Sequence, residues 1–160
     1  MADPPKTSNH RVTATLDEAR RRRADMYQAI VALERAAARP AAAREQEWAM
    51  GVIEALEQLE RAIVDHIEIT ERPDGLYDEI VDAAPRLSHT VQRLRDEHPR
   101  MQEATSSLKA RLTTTPVGDA RSVAGARDGI QDVLGRLIKH RQRGADLVWE
   151  AYSHDIGGAD

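Results

Sequence analysis

Residues 48–71 read WAMGVIEALEQLERAIVDHIEITE, and this stretch decides the fold. Trp48, Val52, Leu56, Leu59, Ile63 and His66 recur at spacings of three and four. That is the period of one face of an α-helix, with Glu and Arg filling the other faces. Nothing in the stretch alternates at the period of two that a strand needs. The pattern has one chemical oddity. The residue that continues the apolar stripe after Ile63 is a histidine, and a buried imidazole requires a partner.

The same pattern recurs on both sides. Upstream, a helix is expected from about Leu16 to Ala38, with the stripe Leu16, Ala19, Met26, Ile30, Leu33 and Ala37. Thr15 is a suitable cap and Pro40 a stop. The quoted helix itself runs from about Arg44 to Glu71 and is ended by Pro73-Asp74-Gly75, a strong turn signal. A short helical piece, Leu76 to Ala84, precedes Pro85, which suits the first position of the next helix. That third long helix carries Leu87, Val91, Leu94, His98, Met101, Thr105, Leu108 and Leu112, and Thr113-Thr114-Thr115-Pro116 closes it. The fourth carries Val123, Ala126, Ile130, Val133, Leu137, His140, Gly144, Leu147 and Ala151, and ends at Gly157-Gly158. Four long amphipathic helices with short connections imply an all-α, antiparallel up-down four-helix bundle over residues 15–155. Residues 1–14 and 156–160 read as flexible tails.

Composition agrees. The 160 residues are enough for one domain with a real core, and the 41% hydrophobic content is rich in Ala, Leu, Ile and Val, with no Phe. A net charge of −4 gives no drive toward nucleic acid. No cysteine is present, which removes disulfides, thiolate ligands and cysteine nucleophiles. The apolar runs are too short to cross a membrane, and Met1-Ala2-Asp3-Pro4-Pro5 lacks the hydrophobic segment of a secretory signal. The expectation is a soluble cytoplasmic protein.

His66, His98 and His140 thus occupy apolar stripes on three different helices. Their convergence would make a metal site inside the bundle. Pro99 removes a backbone donor beside His98, and Gly144 leaves space one turn after His140. Both are what a small internal cavity requires. One level argument opposes convergence: His98 and His140 sit at different distances from the loop joining their helices, an offset of about 9 Å at helical rise. A later start of the last helix, which Gly125 and Gly129 permit, would remove it.

Three motifs, taken in order, resemble the hemerythrin-like (HHE cation-binding) family. They are His66-Ile-Glu68-Ile-Thr70-Glu71-Arg72 followed by Gly75-Leu76-Tyr77, then Asp96-Glu97-His98, then Leu137-Ile138-Lys139-His140. The resemblance runs from Trp48 to about Ala104 and again from Leu134 to Tyr152. It implies a four-helix bundle holding a non-haem di-iron centre, with dioxygen or peroxide binding, or iron or redox sensing, as the activity. Residue by residue, three of seven ligands correspond. His66 fits, but Thr70 stands where the family has Glu, and Glu71 is one step late. His98 is followed by Gln102 where a second His belongs. His140 is followed by Ala145, with Asp146 one step late, and the first helix offers no equivalent His. A slip of one residue turns a side chain by about 100° on a helix. Without bridging carboxylates, the repulsion between two irons is poorly offset. The implied metal set is therefore His66, His98 and His140, with Glu71 or Asp146 as the fourth ligand, holding one iron, or two if the slips are accommodated, or none.

The remaining polar residues divide between site and surface. Arg23, Tyr27 and Glu34 fall on the first helix's stripe. Arg23 is expected to snorkel and Tyr27 to bury only its ring, with Tyr27 or Glu34 as the alternative replacement ligand. An inward Arg23 would instead favour a small anion. Arg20 to Arg23 wrap a whole turn and read as solvated surface. His89 should be exposed, and Glu150, His154 and Asp155 make at most an incidental surface site. The alternative to the metal reading is a metal-free bundle that engages a protein partner, or a second copy of itself, through Trp149, Tyr152 and the arginine-rich faces. No membrane partner is expected.

Overall fold

The computed structural model describes residues 7–153, with side chains from Thr15 onward; the expected break at Gly157-Gly158, together with His154 and Asp155, lies outside the described residues. All the regular structure among them is helical: α1 (Thr7–Ala38), α2 (Glu45–Glu71), α3 (Leu76–Ala83), α4 (Ser88–Thr114) and α5 (Ala120–Ser153), with a 3-10 turn at Pro85–Leu87 leading into α4. α1 packs on α2, α2 on α4, α4 on α5, and α5 back on α1, so the four long helices close into a bundle, with α3 across one end. No helix is long and apolar enough to cross a membrane.

The boundaries follow local chemistry with two exceptions. α1 begins at Thr7 rather than after Thr15, so Thr15 lies inside the helix, buried, instead of capping it. Side chains with ordinary helix propensity continue upstream of it, and nothing there forbids helical backbone. α5 begins at Ala120, so the helix does not take the later start that Gly125 and Gly129 would permit. Residues 115–119 form a connection that can reach about 16 Å when extended, enough to join helices whose ends are not level. Its Val117 is buried in the core.

The turn before α3 is tight. Asp74 adopts a positive φ of 57°, and a Cβ on Gly75 would come within 2.7 Å of the Arg72 carbonyl oxygen. Gly129 serves a different purpose, since a Cβ there would meet Leu108 Cδ1 at 2.9 Å where α5 crosses α4.

The apolar interior is split in two. The larger cluster joins the C-terminal half of α1 with α2, the later part of α4 and the first half of α5, and includes Leu33, Leu56, Ile63, Met101 and Leu137. The smaller contains Ala19, Leu76, Tyr77, Ile80, Leu94 and Leu147. His98 lies between Leu94 of one and Met101 of the other, and His140 between Leu137 and Leu147. The three imidazoles occupy the boundary, where a polar layer displaces apolar packing. Pro99 sits within α4 beside this layer without ending the helix.

Candidate metal centre

α2, α4 and α5 each deliver one imidazole to the same point. His66 Nε2 is 3.0 Å from His140 Nε2, and His98 Nε2 is 3.2 Å from His140 Nε2. Among the described residues these three form a group whose ligand atoms lie within 4.8 Å of one another and can hold a metal ion. The rings meet edge to face, with His66 and His98 at 86° and His66 and His140 at 88°. His98 and His140 are each 1% exposed, while His66 is partly buried.

The outward nitrogens are also held. His98 Nδ1 lies 2.5 Å from Glu71 Oε1, and His140 Nδ1 lies 2.8 Å from Glu97 Oε2. Arg143 donates to the other oxygen of Glu97. An ionised carboxylate only accepts hydrogen bonds, so each Nδ1 carries the proton and donates it. Both Nε2 atoms then present lone pairs to the centre.

Electrostatics keep the rings neutral. Burial pushes the His98 pKa down to about 4, against the raising effect of Glu71. Burial likewise lowers that of His140, against Glu97. His66 is held well below the usual histidine range by burial first, then by His140, His98 and Arg23. Three neutral imidazoles therefore aim their nitrogens at one spot. If His66 Nε2 carries a proton, it can donate to His140, and the lone pair of His98 still faces that of His140 with no proton between them.

Two nitrogens bound about 2.1 Å from one ion at angles of about 90–110° lie about 3.0–3.4 Å apart. The two separations to His140 fall in that interval, while the His66–His98 pair is bounded only by the 4.8 Å that encloses all three ligand atoms. The carboxylates on the far nitrogens match the outer partners that orient ligating histidines and raise their basicity. The three histidines form a donor set that can hold one divalent ion.

It does not fit two. Glu71, expected as the fourth ligand, is engaged by Nδ1 of His98 and is not among the converging atoms. Asp146 is exposed and accepts a hydrogen bond from Gln142, as the one-residue slip on α5 requires. Thr70 donates to the carbonyl of His66 in its own helix, and Gln102 is exposed. Tyr27 is 46% exposed and Glu34 is exposed, so neither replaces a missing ligand. His89 is exposed, as expected.

Glu97 and Tyr77 stand in the motifs quoted above, but residue-level reading assigned neither a role at the site. Glu97 immediately precedes His98 and is turned by about 100° toward α5, where Arg143, three residues after His140, meets it. Tyr77 stacks on the His98 ring at 5.9 Å and 12° between planes, and burial raises its pKa above the usual tyrosine range. It shields one face of the cluster. A cavity of about 30 Å³ adjoins the cluster, lined by His66, His140, Tyr77 and Gly144 among others. A Cβ on Gly144 would touch nothing within 4 Å, so the missing side chain contributes to this space.

Comparison with protein-family models, with curated proteins and with solved structures finds no match to this chain.

Proposed function

We propose that this protein is a hemerythrin-like, antiparallel up-down bundle that binds a single divalent transition metal through His66, His98 and His140. The observation that carries this reading is the pair of facing Nε2 atoms on His98 and His140. Each is deprotonated by a carboxylate-fixed tautomer, and they lie at the spacing one shared ion imposes. Imidazole donors suit iron, zinc, copper and nickel, and the family resemblance favours iron. The seven-ligand di-iron arrangement is replaced by a reduced site. When bound, the metal would supply a Lewis-acidic or redox-active centre with coordination positions left for a small ligand such as dioxygen or peroxide.

The chain's own residues define what such a ligand meets. Glu71 and Glu97 hold the two buried rings in one tautomer and one orientation. Tyr77 covers His98 and keeps bulk water from that face. The cavity beside Gly144 admits only a few heavy atoms. With one metal and no acid–base pair at the cluster, binding or sensing is favoured over multi-step catalysis.

Cobalt(II) titration of the metal-free protein tests the reading. A d–d absorption band that saturates at about one cobalt per chain, and is lost in His98→Gln, is expected. No saturable band would refute it. In that case the 71% exposure of Trp149 favours the second reading, a metal-free module that docks on a protein partner.

A further inference from the structure

Two cations reach the same cavity, and metal binding does not use them. Arg23 of α1 and Arg141 of α5 both line the space beside His66 and His140. Both are half-buried. The Arg141 guanidinium lies over the Tyr27 ring, 4.7 Å from its centroid, and its Nε is buried with no hydrogen-bond partner. The charge on Arg23 is disfavoured by burial first and then by Arg141 and Arg20.

Neighbouring arginines show the contrast. Arg22 pairs with Asp25 and Asp65, Arg72 with Glu18, and Arg143 with Glu97. Among the described residues, no carboxylate pairs with Arg23 or Arg141. Desolvated guanidiniums without a counter-charge are costly, and a planar fork of N–H donors recognises a planar anion best.

We propose that the cavity binds a small planar monoanion of the carboxylate class, held between Arg23 and Arg141 beside the three-histidine cluster. Its size follows from the volume. A single water needs about 10–15 Å³ on this measure, so about 30 Å³ accommodates two or three heavy atoms, as in formate or nitrite, and excludes tetrahedral phosphate. An anion there would set a negative charge between the two guanidiniums and the histidine cluster, since Arg23, Arg141, His66 and His140 line the same cavity. The inference goes beyond the metal reading, because the arginine pair binds the anion with or without a metal.

The test is a titration of the full chain, stripped of metal, with carbon-13 formate followed by NMR. Saturable binding is expected. Arg23→Met and Arg141→Met should each weaken it by about tenfold or more, whereas Arg93→Gln, on the exposed face of α4, should leave it unchanged. Inorganic phosphate should compete at least about tenfold more weakly. Arg23→Met should fold and melt no lower than wild type, since it removes a half-buried cation that has no carboxylate partner, and circular dichroism should show Arg141→Met folded although it loses the contact with the Tyr27 ring. Lysine at either position, which keeps the charge but not the fork, should retain intermediate affinity. No saturable formate binding in wild type would overturn the proposal, as would undiminished binding in both methionine variants or phosphate binding as tight as formate. A repeat with zinc separates the two readings: if zinc fails to bind while formate binding survives, only the metal reading falls.

Discussion

His98 and His140 face each other through their Nε2 atoms at 3.2 Å, while Glu71 and Glu97 grip the opposite nitrogens of the same two rings. The two contacts are coupled. Each carboxylate fixes a proton on Nδ1, and that choice turns the inner nitrogens into two adjacent lone pairs. An apolar core would have no reason to keep such a pair. A cation between them makes the same geometry favourable.

Removing one imidazole should therefore act in opposite directions with and without metal. In metal-free protein, His98→Leu is expected to be neutral or stabilising, because an apolar side chain of similar volume replaces a buried polar one and Glu71 is partly exposed to water. In the presence of metal at 100 times its Kd, wild type should gain about 2.7 kcal/mol over its metal-free form, and the variant almost none. Denaturant melts with and without zinc measure both values. Equal metal dependence in the two proteins would contradict the role given to His98.

Glu97→Gln and Glu71→Gln should leave the binding stoichiometry intact and weaken affinity by about 10–100-fold, the usual cost of losing an outer partner of a ligating histidine. Competition with a chelator of known affinity reads this directly. If either change abolished binding altogether, that carboxylate would be an inner ligand.

Acid should unfold the metal-free protein through these histidines. The folded His98 stays neutral down to about pH 4, whereas in the unfolded chain it takes up a proton below about pH 6.5. Between those values the unfolded state binds more protons, so stability falls as pH falls through the window. His66 and His140, lowered in the same direction, add to the effect. Replacing His98 and His140 together with Leu should flatten urea-melt stability between pH 7 and 4. An unchanged pH slope would count against neutral buried rings.

Gly144 controls the space rather than the fold. Gly144→Ala should stabilise α5 by about 0.5–1 kcal/mol, since its Cβ meets nothing and glycine is the poorer helix former. A larger side chain, Gly144→Val, should occupy the cavity and weaken small-ligand binding while the protein still takes up metal. Thermal melts and ligand titrations on the two variants check this. Loss of metal in the alanine variant would show that the cavity belongs to the metal's own shell.

The helices were legible because their apolar stripes are long and regular. The expected Arg44–Glu71 segment is α2 almost to the residue, and the Pro73-Asp74-Gly75 signal falls on the real turn. The N-terminal extension of α1 was hidden because Thr15 looks like a cap, although a threonine within a helix differs from one at its start only in context. The three histidines were legible because each interrupts an apolar stripe. The roles of the carboxylates were not. Glu71 was assigned to the metal, and Glu97 was given no role, because which ring nitrogen a carboxylate meets depends on how neighbouring helices are rotated. Local periodicity carries no information on that. Arg23 was read as a snorkelling side chain for the same reason: its unpaired partner across the cavity, Arg141, lies on another helix more than a hundred positions away.

The central claim is that one metal ion sits among His66, His98 and His140. Elemental analysis of untagged protein, purified from iron-supplemented medium, tests it most directly. The account predicts about one metal per chain, lost in His98→Gln. Two irons per chain would contradict the reduced site and restore a di-iron centre, and no stoichiometric metal in wild type would contradict the metal-binding reading itself.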